Sequence, residues 1–307
     1  FTGSTGIGTK IMEYAAARIT PITLELGGKD PVIVHPDMNL DIATSGLTWA
    51  AFVNAGQVCG AAKRIYVPET KLAEFLDMYK EKISHLKVGW SLTDDSVTTG
   101  PIINERELEK IDQAVQTAQA HGAKILTGGK KIHEKEGYFY LPTVIYNVDH
   151  THAIVKDELF GPVVVVLPYK DIEEAIQMAN DTEYGLTGSV WTKNIRKGKK
   201  IAEQIRSGTV AVNNQTITFA IGQTPWGGPG KSGIGRTHGT FGLLEMIEPH
   251  HIYIDRRWFR KDPWWYPYNP KQGLEFVKNL IDVVILGKFR KVFGLIKRYL
   301  QLSQETH

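Results

Sequence analysis

The chain holds one cysteine, Cys59, in the segment Asn54-Ala55-Gly56-Gln57-Val58-Cys59. A cysteine flanked by small residues sits where a backbone can turn sharply, so its own main-chain N–H can face the same space as its sulfur. A thiolate attacks a carbonyl carbon, and the oxygen that becomes an anion then needs donors close by. Arg64 follows five positions later and is a candidate for stabilising charge there. The competing assignment is a buried structural cysteine, because a free thiol packs as a small hydrophobe.

Three further segments carry chemically suggestive residues. In Leu24-Glu25-Leu26-Gly27-Gly28-Lys29 a carboxylate lies between two leucines and ahead of two glycines. Partial burial raises a carboxyl pKa toward the working range of a general base; the plainer alternative pairs Glu25 with Lys29. Gly3-Ser4-Thr5-Gly6-Ile7-Gly8 follows a strand-like start and precedes a helix expected at 8–18. Glycines let a backbone approach a phosphate, and a helix N-terminus favours negative charge. The segment lacks the full G-x-G-x-x-G spacing, and a simple Ser/Thr-capped helix start explains it equally. In Glu158-Leu159-Phe160-Gly161-Pro162 an acidic residue precedes an aromatic one by two positions. That pair can bind ribose hydroxyls and support a nicotinamide ring, or it can be a turn with Phe160 packed in the core.

These residues need elements to position them. Residues 65–68 read as a strand and 69–86 as a helix, with Leu72, Phe75, Leu76, Tyr79, Ile83 and Leu86 at helical spacing. A helix at 111–121, a strand at 123–126 and the punctuation of Gly128-Gly129 follow. Residues 163–167 are uninterruptedly apolar, as suits a strand buried on both faces of a parallel sheet. A helix at 172–180, a strand at 188–191, a helix at 197–206 and a strand at 209–213 continue the alternation. The pattern predicts an α/β fold with a mostly parallel sheet and right-handed crossovers. The glycine-rich 222–242 predicts an irregular loop.

Residues 256–300 differ from the rest, with 11 Lys/Arg against 3 Asp/Glu, a net +8 in a chain whose formal charge is +3. Three tryptophans fall in 258–268, and one amphipathic helix is expected at 274–300. Charges interrupt it too often for a membrane span, which needs roughly 20 apolar residues. It reads as a basic helix lying on a membrane surface, or else packed on the protein itself. With 307 residues and 42% hydrophobic content the chain can bury a substantial core, and its small net charge argues against a nucleic-acid partner. A single cysteine excludes an internal disulfide and fits a cytoplasmic setting, peripheral to a membrane if the tail binds one. No metal site is expected. The start, Phe1-Thr2, carries no signal-peptide pattern and predicts that the polypeptide continues upstream.

Taken together and in order, these segments resemble the aldehyde dehydrogenase superfamily. The resemblance rests on 1–8, Glu25-Leu26-Gly27-Gly28-Lys29, Gly56-Gln57-Val58-Cys59, Glu158-Leu159-Phe160-Gly161-Pro162, Asn213-Asn214, Pro225-Trp226-Gly227-Gly228 and Ser232-Gly233-Ile234-Gly235-Arg236. It covers residues 1 to about 255. It implies an aldehyde-dehydrogenase-like catalytic domain with a mostly parallel open twisted sheet at 28–230. A remnant of the dinucleotide-binding domain would occupy 1–27. A return segment and oligomerisation strand would occupy 231–255, and the basic amphipathic helical tail 256–307. It implies oxidation of an aldehyde to an acid with NAD or NADP. Cys59, a thiol of low pKa, would form a thiohemiacetal and then a thioester, and Glu25 would activate water to hydrolyse it. The Cys59 N–H would supply half of the oxyanion hole. Gly3, Ser4 and Gly27 would contact the cofactor, Glu158 its nicotinamide ribose and Phe160 the ring, while Asn213 would line the substrate end. Trp264-Trp265-Tyr266-Pro267-Tyr268 suggests an apolar aldehyde, and 250–255 a homo-oligomer. Family members carry upstream the early cofactor strands and the asparagine side chain of the oxyanion hole. Losing one such donor costs about 10²–10³ in rate, so this chain alone is expected to bind cofactor poorly and turn over little. Two alternatives stand beside this one. A non-catalytic remnant or oligomer scaffold is the first. An acylating enzyme using coenzyme A is the second, and Glu25 in the water-activating position speaks against it.

Overall fold

The computed structural model describes residues 1–133, 136–255, Tyr266 and 270–304. The chain divides into two compact units, Phe1–Glu248 and Pro249–His307. The first unit begins with α1 (Thr5–Ala16), β1 (Leu24–Glu25), β2 (Asp30–Val34), α2 (Leu40–Phe52), β3 (Ala62–Pro68) and α3 (Leu72–Ser84). Next come α4 (Glu105–Ala120), β4 (Lys124–Thr127), β5 (Lys131–Ile132), β6 (Phe139–Tyr140), β7 (Thr143–Tyr146) and α5 (Ala153–Lys156). It closes with β8 (Val163–Tyr169), α6 (Ile172–Asn180), β9 (Thr187–Trp191), α7 (Ile195–Ala202), β10 (Thr209–Val212), β11 (Gly233–Ile234) and α8 (Gly239–Leu244).

Seven strands form one sheet in the order β10-β9-β2-β3-β8-β7-β4, parallel throughout except where β4 meets β7. The sheet needs cover on both faces, and the side-chain alternation of each strand supplies two apolar surfaces. On one face Ile33, Tyr66, Val163 and Val165 pack with Leu108, Ile111 and Val115 of α4. On the other, Val32, Val34, Ile65, Val164 and Val166 pack with Leu47 of α2 and Phe75 and Tyr79 of α3. Helix starts are capped as composition dictates. The Asn39 side chain accepts from the N–H of Asp41 and Ile42, that of Asn104 from Glu107, and that of Asp171 from Glu174.

The α/β sheet matches the sequence expectation, and the strands read at 65–68, 163–167, 188–191 and 209–213 fall within or against β3, β8, β9 and β10. Some expectations need correction. α4 starts at Glu105, six residues ahead of the expected 111, because its first turn is polar and carries only the cap signal. Similarly, α1 starts at Thr5, directly behind Ser4. Periodicity missed β2 and α2, because β2 is buried throughout and α2 shows no clean polar face. In α2, Thr44 and Thr48 hide their hydroxyls by donating to the carbonyls of Leu40 and Thr44 at 2.7 and 2.8 Å.

The second unit holds two helices, α9 (Pro270–Val284) and α10 (Val292–Gln304), where one at 274–300 was expected. The break is at Gly287, which has φ +63°, so Lys288 N–H turns back to the Asp282 carbonyl at 2.9 Å. The Asp282 carboxylate then accepts from Lys288 and Lys291 across the turn. Residues 250–255 pair with no strand among the described residues. The aromatic segment 258–268 lies outside the described residues except for Tyr266, which is exposed. No helix among the described residues is long and apolar enough to cross a membrane.

Ile65 is fully buried at the centre of β3. Its truncation by Ile65→Ala is expected to cost about 2–5 kcal/mol in a urea titration, through lost transfer energy and the cavity left behind. A loss below 1 kcal/mol would mean that β3 is not the packed centre.

Candidate active site

A cavity of about 940 Å³ opens in the first unit. It is lined by Gly3, Ser4, Glu25, Gly27, Cys59, Glu158 and Phe160, all chosen from the sequence. Asn213, expected at the substrate end, is not among the lining residues. Its side chain accepts from Thr192 N–H at 2.8 Å and donates to the Thr192 carbonyl at 2.9 Å, bracing the turn after β9. The amide here stands in for a strand partner.

The Cys59 loop is an abrupt turn out of α2. Asn54, Ala55 and Gly56 take φ of +53°, +55° and +66° in succession. A methyl on Gly56 would overlap the Gly161 carbonyl. Lys63, fully buried, holds this approach by donating to the carbonyls of Gly56 at 2.7 Å and Gly161 at 2.9 Å. Gln57 fixes the outer side, donating to the Pro101 carbonyl at 3.1 Å and accepting from Ile103 N–H at 2.9 Å. Behind the cysteine, the Gly60 carbonyl accepts from the Gln215 amide at 2.9 Å and the Thr216 hydroxyl at 3.2 Å.

Burial, and then the charge of Asp30, push the Cys59 thiol up to about 11. The main-chain N–H groups of Gly60 and of Cys59 itself pull the other way, an arrangement that favours an anion at this spot. The expected low-pKa thiol is therefore corrected. Arg64 does not serve it. The guanidinium is fully buried and donates to the carbonyls of Lys29 at 2.8 Å, Met178 at 3.0 Å and Ala179 at 2.9 Å. It thus sits at the C-terminal end of α6, where a cation is favoured.

Glu25 is held from two sides. β1 pairs antiparallel with β11, Glu25 opposite Gly233, and the Glu25 carbonyl accepts from Gly3 N–H at 3.0 Å. The side chain is 8% exposed, and its buried Oε1 has no hydrogen-bond partner among the described residues. Burial raises its pKa to about 7 against the opposing charge of Arg236. Lys29 does not pair with it. The ammonium donates to the Ile154 carbonyl at 2.9 Å, and burial pushes its pKa down to about 7.

The glycine pair after Glu25 permits two close approaches. A methyl on Gly27 would overlap the Glu158 carboxylate, and one on Gly28 would overlap the Cys59 carbonyl. Glu158 Oε1 accepts from Gly28 N–H at 3.2 Å, and burial raises its pKa. At the far end, Ser4 caps α1 with its carbonyl, which accepts from Ile7 and Gly8 at 3.1 and 2.9 Å. The N–H groups of Thr5 and Gly6 are left outside the helical bonding, as phosphate oxygens require. A free N–H pair, a buried carboxylate over a bare glycine and an aromatic ring, Phe160, together fit a dinucleotide's phosphate, ribose and ring. Among the described residues no cluster of three or more His, Cys, Asp or Glu can hold a metal.

Sequence reading missed Gln57 as a support and Arg106, Glu107 and Lys110 as lining residues. The spacing of 106 and 110, one face of α4, was the available signal. Lys110 lies near enough to Glu158 to oppose its rise in pKa.

Fold and site together define an α/β protein that presents a cysteine and a raised-pKa carboxylate to one cavity beside a helix N-terminus. Comparison with known proteins agrees. The sequence profile of the aldehyde dehydrogenase family matches residues 1–252. A putative succinate-semialdehyde dehydrogenase [NADP(+)] 2 of Mycobacterium ulcerans is 42% identical over 265 residues, covering 86% of this chain and 51% of that protein. Betaine aldehyde dehydrogenase of Bacillus subtilis is 40% identical over 256 residues, 82% of this chain and 52% of that protein. The crystal structure of betaine aldehyde dehydrogenase from Staphylococcus aureus in complex with NAD+ superposes with a TM-score of 0.79 at 38% identity, covering 85% of this chain and 53% of that one. The chain belongs to the aldehyde dehydrogenase family. It spans about half the length of the curated relatives it matches.

With a thiol near 11, the rate of Cys59 alkylation by iodoacetamide should climb about tenfold per pH unit from pH 7 to 10 without levelling off. Intact-mass kinetics would show this. A plateau near neutrality would mean that the thiolate is already stabilised.

Proposed function

We propose that this protein serves the oxidation of an aldehyde to a carboxylic acid, with Cys59 as nucleophile and Glu25 as general base. The observation that carries this reading is Glu25, with its buried Oε1 unpaired among the described residues, lining the cavity that Cys59 also lines. NAD or NADP, bound along Gly3, Ser4, Gly27, Glu158 and Phe160, would supply the hydride acceptor and a positive charge. The Cys59 sulfur adds to the aldehyde carbon to give a thiohemiacetal, whose oxygen lies within reach of the main-chain N–H groups at 59 and 60. After loss of hydride the acyl group stays on Cys59 as a thioester. Glu25 then takes a proton from water, the water oxygen bonds to the acyl carbon, and the sulfur leaves. The base must be ionised to act. Its pKa near 7 makes this step rise as pH passes upward through about 7. A carboxylate so placed favours water over coenzyme A as the acyl acceptor.

The test uses the chain with NAD+ or NADP+ and a panel of aldehydes. The readout is the lifetime of the adduct and needs no steady turnover: Glu25→Gln should let an acylated Cys59 persist, visible by intact mass, at least about 10²-fold longer than in the parent. Cys59→Ser should show no adduct. If the Glu25→Gln adduct is lost as fast as the parent's, the assignment of the base fails. If no aldehyde ever adds to Cys59, the scaffold reading replaces the catalytic one.

A second reading concerns the Pro249–His307 unit. We propose that it contacts a membrane surface peripherally. Its support is the net +8 over 256–300, together with apolar side chains left outside, among them Phe289 at 73% and Phe293 at 83% exposure. Residues 250–255, with Ile252, Tyr253 and Ile254 exposed, suit a strand that pairs with a second copy of the chain. Co-sedimentation with anionic liposomes should be lost on deleting 256–307 and weakened by salt. Binding unchanged by the deletion would end the membrane reading.

A further inference from the structure

His238 has a backbone that its side chain does not favour. It takes φ +65° and ψ 159°, a region that glycine occupies almost alone. The strain is held by main-chain bonds on both sides. Thr237 exchanges two with Trp226, at 2.7 and 2.8 Å, Gly239 N–H donates to the Gly222 carbonyl at 2.9 Å, and the His238 carbonyl accepts from Gly242 at 2.9 Å. What the strain achieves is to put the imidazole on the cavity wall, with Phe219 and Trp226. Those two rings meet edge to face at 6.5 Å.

The ring's Nδ1 is sealed from solvent and has no hydrogen-bond partner among the described residues. Nε2 is not among such sealed atoms, and an imidazole whose Nδ1 is the acceptor carries its N–H at Nε2. His238 lines the cavity, and in that tautomer its ring can donate there. Two neighbouring hydroxyl residues are engaged elsewhere. The Thr216 hydroxyl donates to the Gly60 carbonyl at 3.2 Å, and Thr237 lies against Glu25.

We propose that His238 is a substrate-binding residue that donates from Nε2 to an oxygen acceptor on the aldehyde, remote from its carbonyl, while Phe219 and Trp226 cover the intervening carbons. The class of substrate is an aldehyde bearing a carboxylate or a hydroxyl. This rests on Cys59 being the nucleophile of the same cavity.

The test reads protection of Cys59 from iodoacetamide, which needs no turnover. The aldehydes are a straight-chain alkanal and its carboxyl-ended and hydroxyl-ended counterparts of equal length. The proteins are the parent chain, His238→Leu and His238→Gln, whose amide keeps a donor near the same place. The two variants impose similar backbone strain, so their difference isolates the donor. His238→Leu should raise the half-protecting concentration of one or both oxygenated aldehydes about tenfold and leave the alkanal within about twofold, with His238→Gln restoring most of the loss. The carboxyl and hydroxyl arms distinguish which acceptor is recognised. Equal protection by all three aldehydes in the parent, or equal behaviour of the two variants, overturns the proposal while leaving Cys59 as nucleophile. Failure of every aldehyde to protect the parent overturns the Cys59 reading and this one with it.

Discussion

The whole site depends on how closely three stretches of backbone approach at Gly27 and Gly28. The Glu158 carboxylate lies over the first α-carbon and the Cys59 carbonyl over the second, where any side chain would collide. Two buried lysines keep the loops there. Lys29 reaches forward to the Ile154 carbonyl, and Lys63 joins the Gly56 and Gly161 carbonyls, so the cysteine loop and the Glu158 loop are held by one ammonium. Burying an amine is costly unless it is hydrogen-bonded and near opposite charge. Here each donates to carbonyls, and Glu158 offsets part of the penalty for both. Their pKa values fall to about 7 and about 8, which measures how dry the centre is.

The same dryness acts on Glu25 and Cys59 in one direction with opposite consequences. It raises Glu25 to about 7, into the range where a carboxylate accepts a proton and gives it up again. It raises Cys59 to about 11, out of the range where the thiolate is present at neutral pH. The obvious cation in the sequence, Arg64, is spent on the end of α6 and on the Lys29 carbonyl. Arg64 therefore supplies no charge to the sulfur, and the groups that pull the thiol down are the main-chain N–H groups of Gly60 and Cys59.

Secondary structure serves this centre by ending in the right places. β2 starts directly after the glycine pair, with a register shift between Asp30 and Pro31 where the ladder loses a donor. β3 starts just after Cys59, β8 just after Pro162, and these three strands are neighbours in the sheet. Parallel strands that begin together bring the loops before them together. Residues distant in sequence, at 25–29, 56–63 and 158–162, thereby become one site. Asp30, at the head of β2, hydrogen-bonds Thr187 at the head of β9 and extends the same junction along the sheet edge.

Much of this was legible in the residues themselves. A single cysteine after Gly56-Gln57-Val58, a glutamate before paired glycines and the Glu158-Phe160 turn each suggest chemistry. Their order along the chain makes the set specific, and the apolar runs at 65–67 and 163–167 imply a buried parallel sheet because only such a sheet hides both faces of a strand. Local pattern stops there, because the remaining decisions rest on contacts between distant residues. Nothing near Lys63 in sequence says that its ammonium ends on Gly161, 98 positions away. Nor does anything near Asn213 say that its amide braces Thr192, or near His238 that its Nδ1 faces no partner among the described residues. The α2 helix escaped notice for a related reason: Thr44 and Thr48 lie on its buried face while Ile42 and Trp49 lie exposed, so its hydropathy does not follow its burial. Sequence therefore determined which groups are candidates for chemistry and what sheet carries them. Tertiary structure decided their protonation and their supports, because burial and hydrogen bonding belong to the assembled interior and not to any one segment.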